Sequence, residues 1–157
     1  MSNGKRLGFF TRLLGGLPAR ERYADAIRQI QRAEELGFET AWIAQHHFNP
    51  DEGGLPAPLV FLAQVGALTS RIRLGTGIIT LPMEMALRVA EDCAVLDTLL
   101  DGRLEVGFGP GGTPGSFAAF GLDFADRRQI YDRNLALIRA AWQGETLPGD
   151  NRIWPSA

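Results

Sequence analysis

His46 and His47 are the only histidines in 157 residues. They stand side by side after the apolar run Thr40-Ala41-Trp42-Ile43-Ala44 and just before the turn signal Asn49-Pro50. An imidazole near pH 7 both gives and takes protons, so a histidine where a strand ends reads as an acid–base group. A shared metal ion is a poorer reading. Adjacent residues on extended backbone point to opposite sides, and only Asp51 and Glu52 would remain to complete the ligand set. One histidine is therefore expected to serve chemistry while the other packs or caps the loop.

Three further features bear on chemistry. Gly107-Phe108-Gly109-Pro110-Gly111-Gly112 follows an apolar strand and matches G-x-G-x-x-G. A dinucleotide fingerprint needs a helix starting on the last glycine and an acidic residue ending the next strand, and this stretch has neither. It reads instead as a flexible loop whose glycines let backbone approach a ligand. Thr76-Gly77 lies inside another strand, where glycine marks either a bulge or a ligand contact. Cys93 falls on the apolar face of a helix and reads as a small buried hydrophobe.

The elements that must position these residues alternate. Strands are expected at residues 7–10, 39–43, 72–79 and 104–108, and helices at 20–36, 59–68, 84–100 and 126–142. The first helix would turn Tyr23, Ala26, Ile27, Ile30, Ala33 and Leu36 inward and stop at Gly37. The second is nearly all apolar and should be buried on most sides. The third shows Ala86, Val89, Ala90, Cys93, Leu96 and Leu100 on one face, the fourth Ile130, Tyr131, Leu135, Ile138 and Trp142. Residues 109–124 read as loop, and the tail from 144 to 157 holds at most a short extended piece. Asp97 and Glu91-Asp92 read as solvated or paired with Arg88 and Arg103.

Such β-α alternation makes an α/β fold with a parallel sheet and right-handed crossovers. Either an open doubly wound sheet or part of a closed barrel fits, and a whole barrel takes roughly 200–250 residues. Residues 1–157 suit a single domain. The composition, 45% apolar and 22% charged with net charge −2, is that of an ordinary globular protein, and the scattered basic residues give no footprint for nucleic acid. Arg12 interrupts the N-terminal apolar run too early for a signal peptide, and no stretch reaches the ~20 apolar residues of a membrane span. A single cysteine fits a reducing cytoplasm, so a cytoplasmic location is expected, with no membrane partner.

Taken in order, these segments resemble the bacterial luciferase-like flavin monooxygenase family. The matching pieces are Leu36-Gly37-Phe38-Glu39-Thr40-Ala41-Trp42, His46-His47-Phe48 and Arg73-Leu74-Gly75-Thr76-Gly77-Ile78 with Leu81-Pro82. Arg88, Glu91-Asp92, Leu96-Asp97, Gly102-Arg103 and the Gly107–Gly112 loop complete the series. The resemblance implies a (β/α)8 TIM barrel of which only the first four βα units are present, a half barrel. It implies reduced FMN supplied by a flavin reductase, with molecular oxygen and a small organic substrate such as an aldehyde. His46 matches the catalytic histidine; Phe10, Thr76, Gly77, Gly109, Gly111 and Gly112 match flavin-side positions; Gln45 and His47 match the substrate side. Gln45 stands where the family has glutamate, Met85-Ala86 replaces a His-Pro pair, and Pro110 lies where some members have arginine. The alternatives are a deazaflavin-dependent oxidoreductase of the same fold, and a truncated non-catalytic subunit that binds flavin or pairs with a homologue. A half barrel exposes two strand edges and an apolar inner face, so a homo- or hetero-oligomer is expected.

Overall fold

Strands of four to eight residues, each followed by a helix, can be buried only by laying the helices over one face of a parallel sheet. The computed structural model describes residues 6–145. β1 (Gly8–Thr11), β2 (Thr40–Ile43), β3 (Arg73–Thr80) and β4 (Leu104–Gly109) lie parallel in the order β1-β2-β3-β4. α1 (Ala19–Glu35), α2 (Pro58–Gly66) and α3 (Ala86–Leu99) make the crossovers, and α4 (Pro114–Ala119) and α5 (Arg127–Trp142) follow β4. Each strand pairs with its neighbours in sequence, with no reversal of order. That excludes the doubly wound sheet and leaves the arc of a barrel, half of an eight-strand one.

The two faces of the sheet differ. Phe9, Ala41, Ile43 and Leu74 pack with Ile30, Leu62, Val65 and Leu96 from the helices, and a second cluster joins Ile79, Val89, Ala90, Cys93 and Ile138. The alternate residues Phe10, Trp42, Gly75 and Gly77 lie on the other face, where no helix among the described residues covers them, and Phe10 is 56% exposed. Aromatic rings there lie over glycines: a Cβ on Gly75 would stand 2.5 Å from the Trp42 ring. Among the described residues β1 and β4 each have one unpaired edge. No helix among these residues is long and apolar enough to cross a membrane.

Most expected inward faces hold. All six apolar residues named for α3 are buried, and burial pushes the Cys93 thiol up to about 12. Gly37 takes a positive φ of 83° and ends α1. Other expectations fail. Leu36 lies past the end of α1 and is 60% exposed, while Trp142 is 45% exposed and donates Nε1–H to Ala90 O. α2 leaves one flank open at Val60, beside Val95 and Leu99 of α3. α4 lies in the stretch read as loop: six residues beginning on a proline are too few to register a period, although its Phe117 is fully buried. Arg88 does pair with Glu91 and Asp92, but Arg103 binds carbonyls, not a carboxylate. The tail beyond residue 145 lies outside the described residues.

One carboxylate braces the bottom of the arc. Glu34 Oε1, at the end of α1, accepts the backbone N–H groups of Ser70, Arg71 and Ile72 at 2.9, 2.6 and 2.9 Å. Burial pushes its carboxyl up, but those amides and the Arg71 charge pull it down further, to a net value below the usual one. Its stabilisation is therefore complete above the usual pKa of 4.5 and is lost as pH falls through the lower folded value. Glu34→Ala is expected to cost about 1–2 kcal/mol at neutral pH. Urea midpoints of the two proteins should converge as pH falls below the usual value of 4.5; a gap that stays constant as the carboxyl protonates would contradict the ionised brace.

Candidate functional site at the strand carboxyl ends

In a parallel arc every strand delivers its following loop to the same rim, so residues far apart in sequence meet there. Ala44 N–H donates to Thr11 O and Gly54 N–H to Arg12 O, joining the loops after β1 and β2. The loop after β4 joins them through Thr113, whose hydroxyl donates to Glu52 Oε2 at 2.9 Å. The same oxygen faces His46 Nδ1 across 3.5 Å. Thr113 pulls the Glu52 carboxyl below its usual value most strongly, against the opposing effect of burial, with His46 and Asn49 adding to it. His46 is half-buried, its N–H bound to Leu55 O at 3.0 Å. Gly53 presses against the ring: a Cβ there would stand 2.5 Å from His46 Cδ2.

The two histidines part company. His47 packs edge-on against Phe120, with centroids 5.0 Å apart, and its carbonyl accepts the Ser116 hydroxyl. Its Nε2 is buried with no hydrogen-bond partner among the described residues. Burial, and then the neighbouring His46, push its pKa down, so the ring is neutral. Both line a small cavity of about 20 Å³ with Glu52, Gly112, Thr113 and Ser116. His47 also borders a larger one, about 310 Å³, near Gln45, Glu84, Val89 and Phe120. Among the described residues no group of three or more His, Cys, Asp or Glu could hold a metal ion.

The other expected site residues divide between rim and scaffold. Gln45 is 6% exposed and fully engaged: Oε1 accepts Thr80 N–H at 2.7 Å, and Nε2 donates to Pro56 O at 3.1 Å and Glu84 Oε1 at 2.8 Å. It is a girder that ties the loop after β2 to the end of β3 and to the segments leading into α2 and α3, and it also borders both rim cavities. Thr76 is also closed off. Its buried hydroxyl donates to Gly107 O and accepts Gly107 N–H, sealing the register shift between Thr76 and Ile79. The glycine inside β3 thus marks a bulge; the Gly77–Ile78 peptide is cis. A Cβ on Gly109 would meet Ile78, and Gly111, at φ 77°, would meet Thr80 and Phe117, so packing alone accounts for these two. Among the described residues Gly112 has no atom within 4 Å of a Cβ position, and Gly77 faces the Phe10 ring. Sequence reasoning passes over Gly53, Thr113, Ser116 and Glu84, and weighs Glu52 only as a metal ligand. Only Glu84 borders a periodic segment, and the partners of Thr113, Ser116 and Glu84 lie 61, 69 and 39 residues away in the chain.

A singly wound parallel arc with a polar rim at its carboxyl ends defines the class: part of a (β/α)8 barrel of the kind whose sites lie at that rim. The chain belongs to the luciferase-like monooxygenase family, whose sequence pattern matches residues 7–155. Over 121 residues it is 34% identical to 4-hydroxyprotoasukamycin monooxygenase of Streptomyces nodosus subsp. asukaensis, covering 75% of this chain and 32% of that one. The crystal structure of the monooxygenase RslO1 from Streptomyces bottropensis superposes with a TM-score of 0.86 at 31% identity, over 91% of this chain and 44% of that one. Two more distant structures share the fold. One is the oxygenating constituent of 3,6-diketocamphane monooxygenase from Pseudomonas putida in complex with FMN (21% identity, TM-score 0.86, 95% of this chain and 42% of that). The other is an F420-dependent secondary alcohol dehydrogenase (21%, 0.75, 97% and 47%). The chain spans about a third of the length of the curated relatives it matches.

Proposed function

We propose that this chain supplies the first half of a flavin-dependent monooxygenase, with His46 as the group that moves protons at the rim. The observation that carries this reading is the convergence on His46 of the loops after β1, β2 and β4, beside an uncovered sheet face of aromatic rings and glycines. The residues present fit the flat ring system of a flavin: Phe10 offers an exposed ring, Gly77 adds no side chain beside it, and Gly112 is open. When bound, reduced FMN, delivered by a flavin reductase, would supply the electrons with which oxygen is activated toward a small organic substrate such as an aldehyde. His46 would take or return a proton at its imidazole, while His47, neutral and walled by Phe120, would border the substrate side. Gly109 and Gly111 would hold the β4 loop in shape around the open Gly112.

Catalysis of this kind requires water to be kept out, and four strands leave Phe10 open. Activity is therefore assigned to the arc once closed by further strands, on the same or a partner chain. The unpaired edges of β1 and β4 and the open flank of α2 support an oligomeric or complemented state, in the reducing cytoplasm that the single cysteine suits.

The test is a fluorescence titration with FMN, and in parallel with a deazaflavin, on the chain complemented to a closed barrel. Saturable FMN quenching is expected. His46→Ala should leave FMN affinity nearly unchanged and lower oxygen-dependent substrate turnover about 10²–10⁴-fold. Saturation by the deazaflavin alone would move the assignment to hydride transfer, and saturation by neither would leave only a pairing role.

A further inference from the structure

Glu52 takes no part in the proton transfer assigned to His46, yet it meets that ring from one side and Thr113 from another. We propose that Glu52 is a positioning residue for His46: held by Thr113, it fixes the ring with the proton on Nδ1 and leaves Nε2 as the free base at the rim. This rests on the reading of His46 as the proton-moving group.

Two contacts meet the ring, and the backbone that carries it is anchored. Glu52 Oε2 lies 3.5 Å from Nδ1, and Thr113 Oγ1 donates to that same oxygen at 2.9 Å. Gly53 closes the opposite approach, since a Cβ there would stand 2.5 Å from Cδ2, 2.9 Å from Cγ and 2.9 Å from Arg12 O. The His46 backbone N–H is anchored on Leu55 O. Thr113 follows Glu52 by 61 residues, so the carboxylate is aimed by the tertiary fold and is no by-product of its own loop. Among the described residues Nδ1 alone of the two ring nitrogens has a polar partner, the Glu52 oxygen at 3.5 Å.

The chemistry follows from the nitrogen count. A neutral imidazole has one N–H, and which nitrogen carries it is set by the acceptor facing it. An ionised carboxylate opposite Nδ1 keeps the proton there, so the lone pair is on Nε2. When Nε2 takes a proton from a ligand the ring becomes cationic against the Glu52 charge, and returning that proton to water or to product restores the neutral ring. A loop-capping role alone would stabilise the chain without selecting a nitrogen.

Imidazole 15N NMR reads the nitrogen directly, and two histidines make assignment simple, with His47→Gln identifying the second. The chain, flavin-free and at a pH where the rings are neutral, is expected to show His46 with a protonated, pyrrole-type Nδ1 and a pyridine-type Nε2. Glu52→Ala and Thr113→Val should lose that pattern in favour of the Nε2–H form, and Glu52→Gln, which keeps an acceptor oxygen, should restore most of it. An Nε2–H form in the unmodified chain overturns the proposal, as does an unchanged pattern in Glu52→Ala. The unmodified chain alone distinguishes the two ring forms even if a variant does not fold. Because no flavin is present, failure here leaves the FMN titration standing, and failure of that titration leaves the nitrogen signals standing.

Discussion

Arg103→Lys is expected to destabilise the chain by about 2–4 kcal/mol, although it preserves the charge. The Arg103 guanidinium holds the bottom of the arc together: Nε donates to Leu100 O at 2.9 Å, Nη1 to Ile72 O at 3.0 Å and Thr69 Oγ1 at 3.3 Å, and Nη2 to Thr69 O at 3.2 Å and Gly66 O at 3.3 Å. The end of α2, the entry to β3 and the end of α3 are thus tied by one planar fork. A lysine ammonium is a point charge with three donors and cannot reach carbonyls spread around a plane. Native domains hold only about 5–15 kcal/mol in reserve, and an arc with two open edges lies toward the low end. The urea midpoint should fall with the slope unchanged. A Lys variant within about 0.5 kcal/mol of the parent would show that the fork carries no stability.

Gln45→Glu is the second large effect, and its size depends on pH. Gln45 Nε2 donates to Glu84 Oε1 at 2.8 Å. A glutamate there would put two carboxyl groups face to face in a site where residue 45 is 6% exposed, and Pro56 O would lose its donor. At neutral pH the cost is expected to be about 3–5 kcal/mol, as for a broken buried charge pair. Burial already pushes the Glu84 carboxyl above its usual value, with Gln45 pulling it back and Asp92 adding to the rise. A raised acid contributes fully below its unfolded pKa and loses that contribution as pH rises through the folded value. The variant strengthens this trend, because one proton shared between the two carboxyls replaces the lost donor. Thermal melts should therefore show a small gap from the parent near about pH 4 and a wide one near about pH 8. A gap independent of pH would mean that Glu84 is not the partner that matters.

Much of the fold is legible in the sequence because burial writes a period into the chain. α1 and α3 bury most of the residues their spacing names, since a helix on one face of a sheet must repeat apolar residues every third or fourth position. α4 escapes such a reading because six residues hold no period. Arg103 looks like a carboxylate's partner in sequence because chain distance cannot reveal that helix-end carbonyls lie nearer. Within the site, His46 is legible from its type and its place after a strand. Gln45, Thr76, Gly109 and Gly111 read as ligand-side in sequence, and their side chains or their need for glycine are accounted for by internal packing.

The amino-acid sequence by itself determined the order of the strands and of the helices long enough to carry a period, most of their inward faces and the rim on which His46 stands, because these follow from local periodicity and from the direction every parallel strand must share. Periodicity alone left an open sheet or a barrel arc, the family resemblance pointed to the arc, and the strand order β1-β2-β3-β4 bears it out; only the tertiary structure decided that Gln45 is spent on Glu84 and that Glu52 and Thr113 meet over His46. Those outcomes depend on which distant groups the closed packing brings within hydrogen-bonding reach, and no pattern along the chain records that distance.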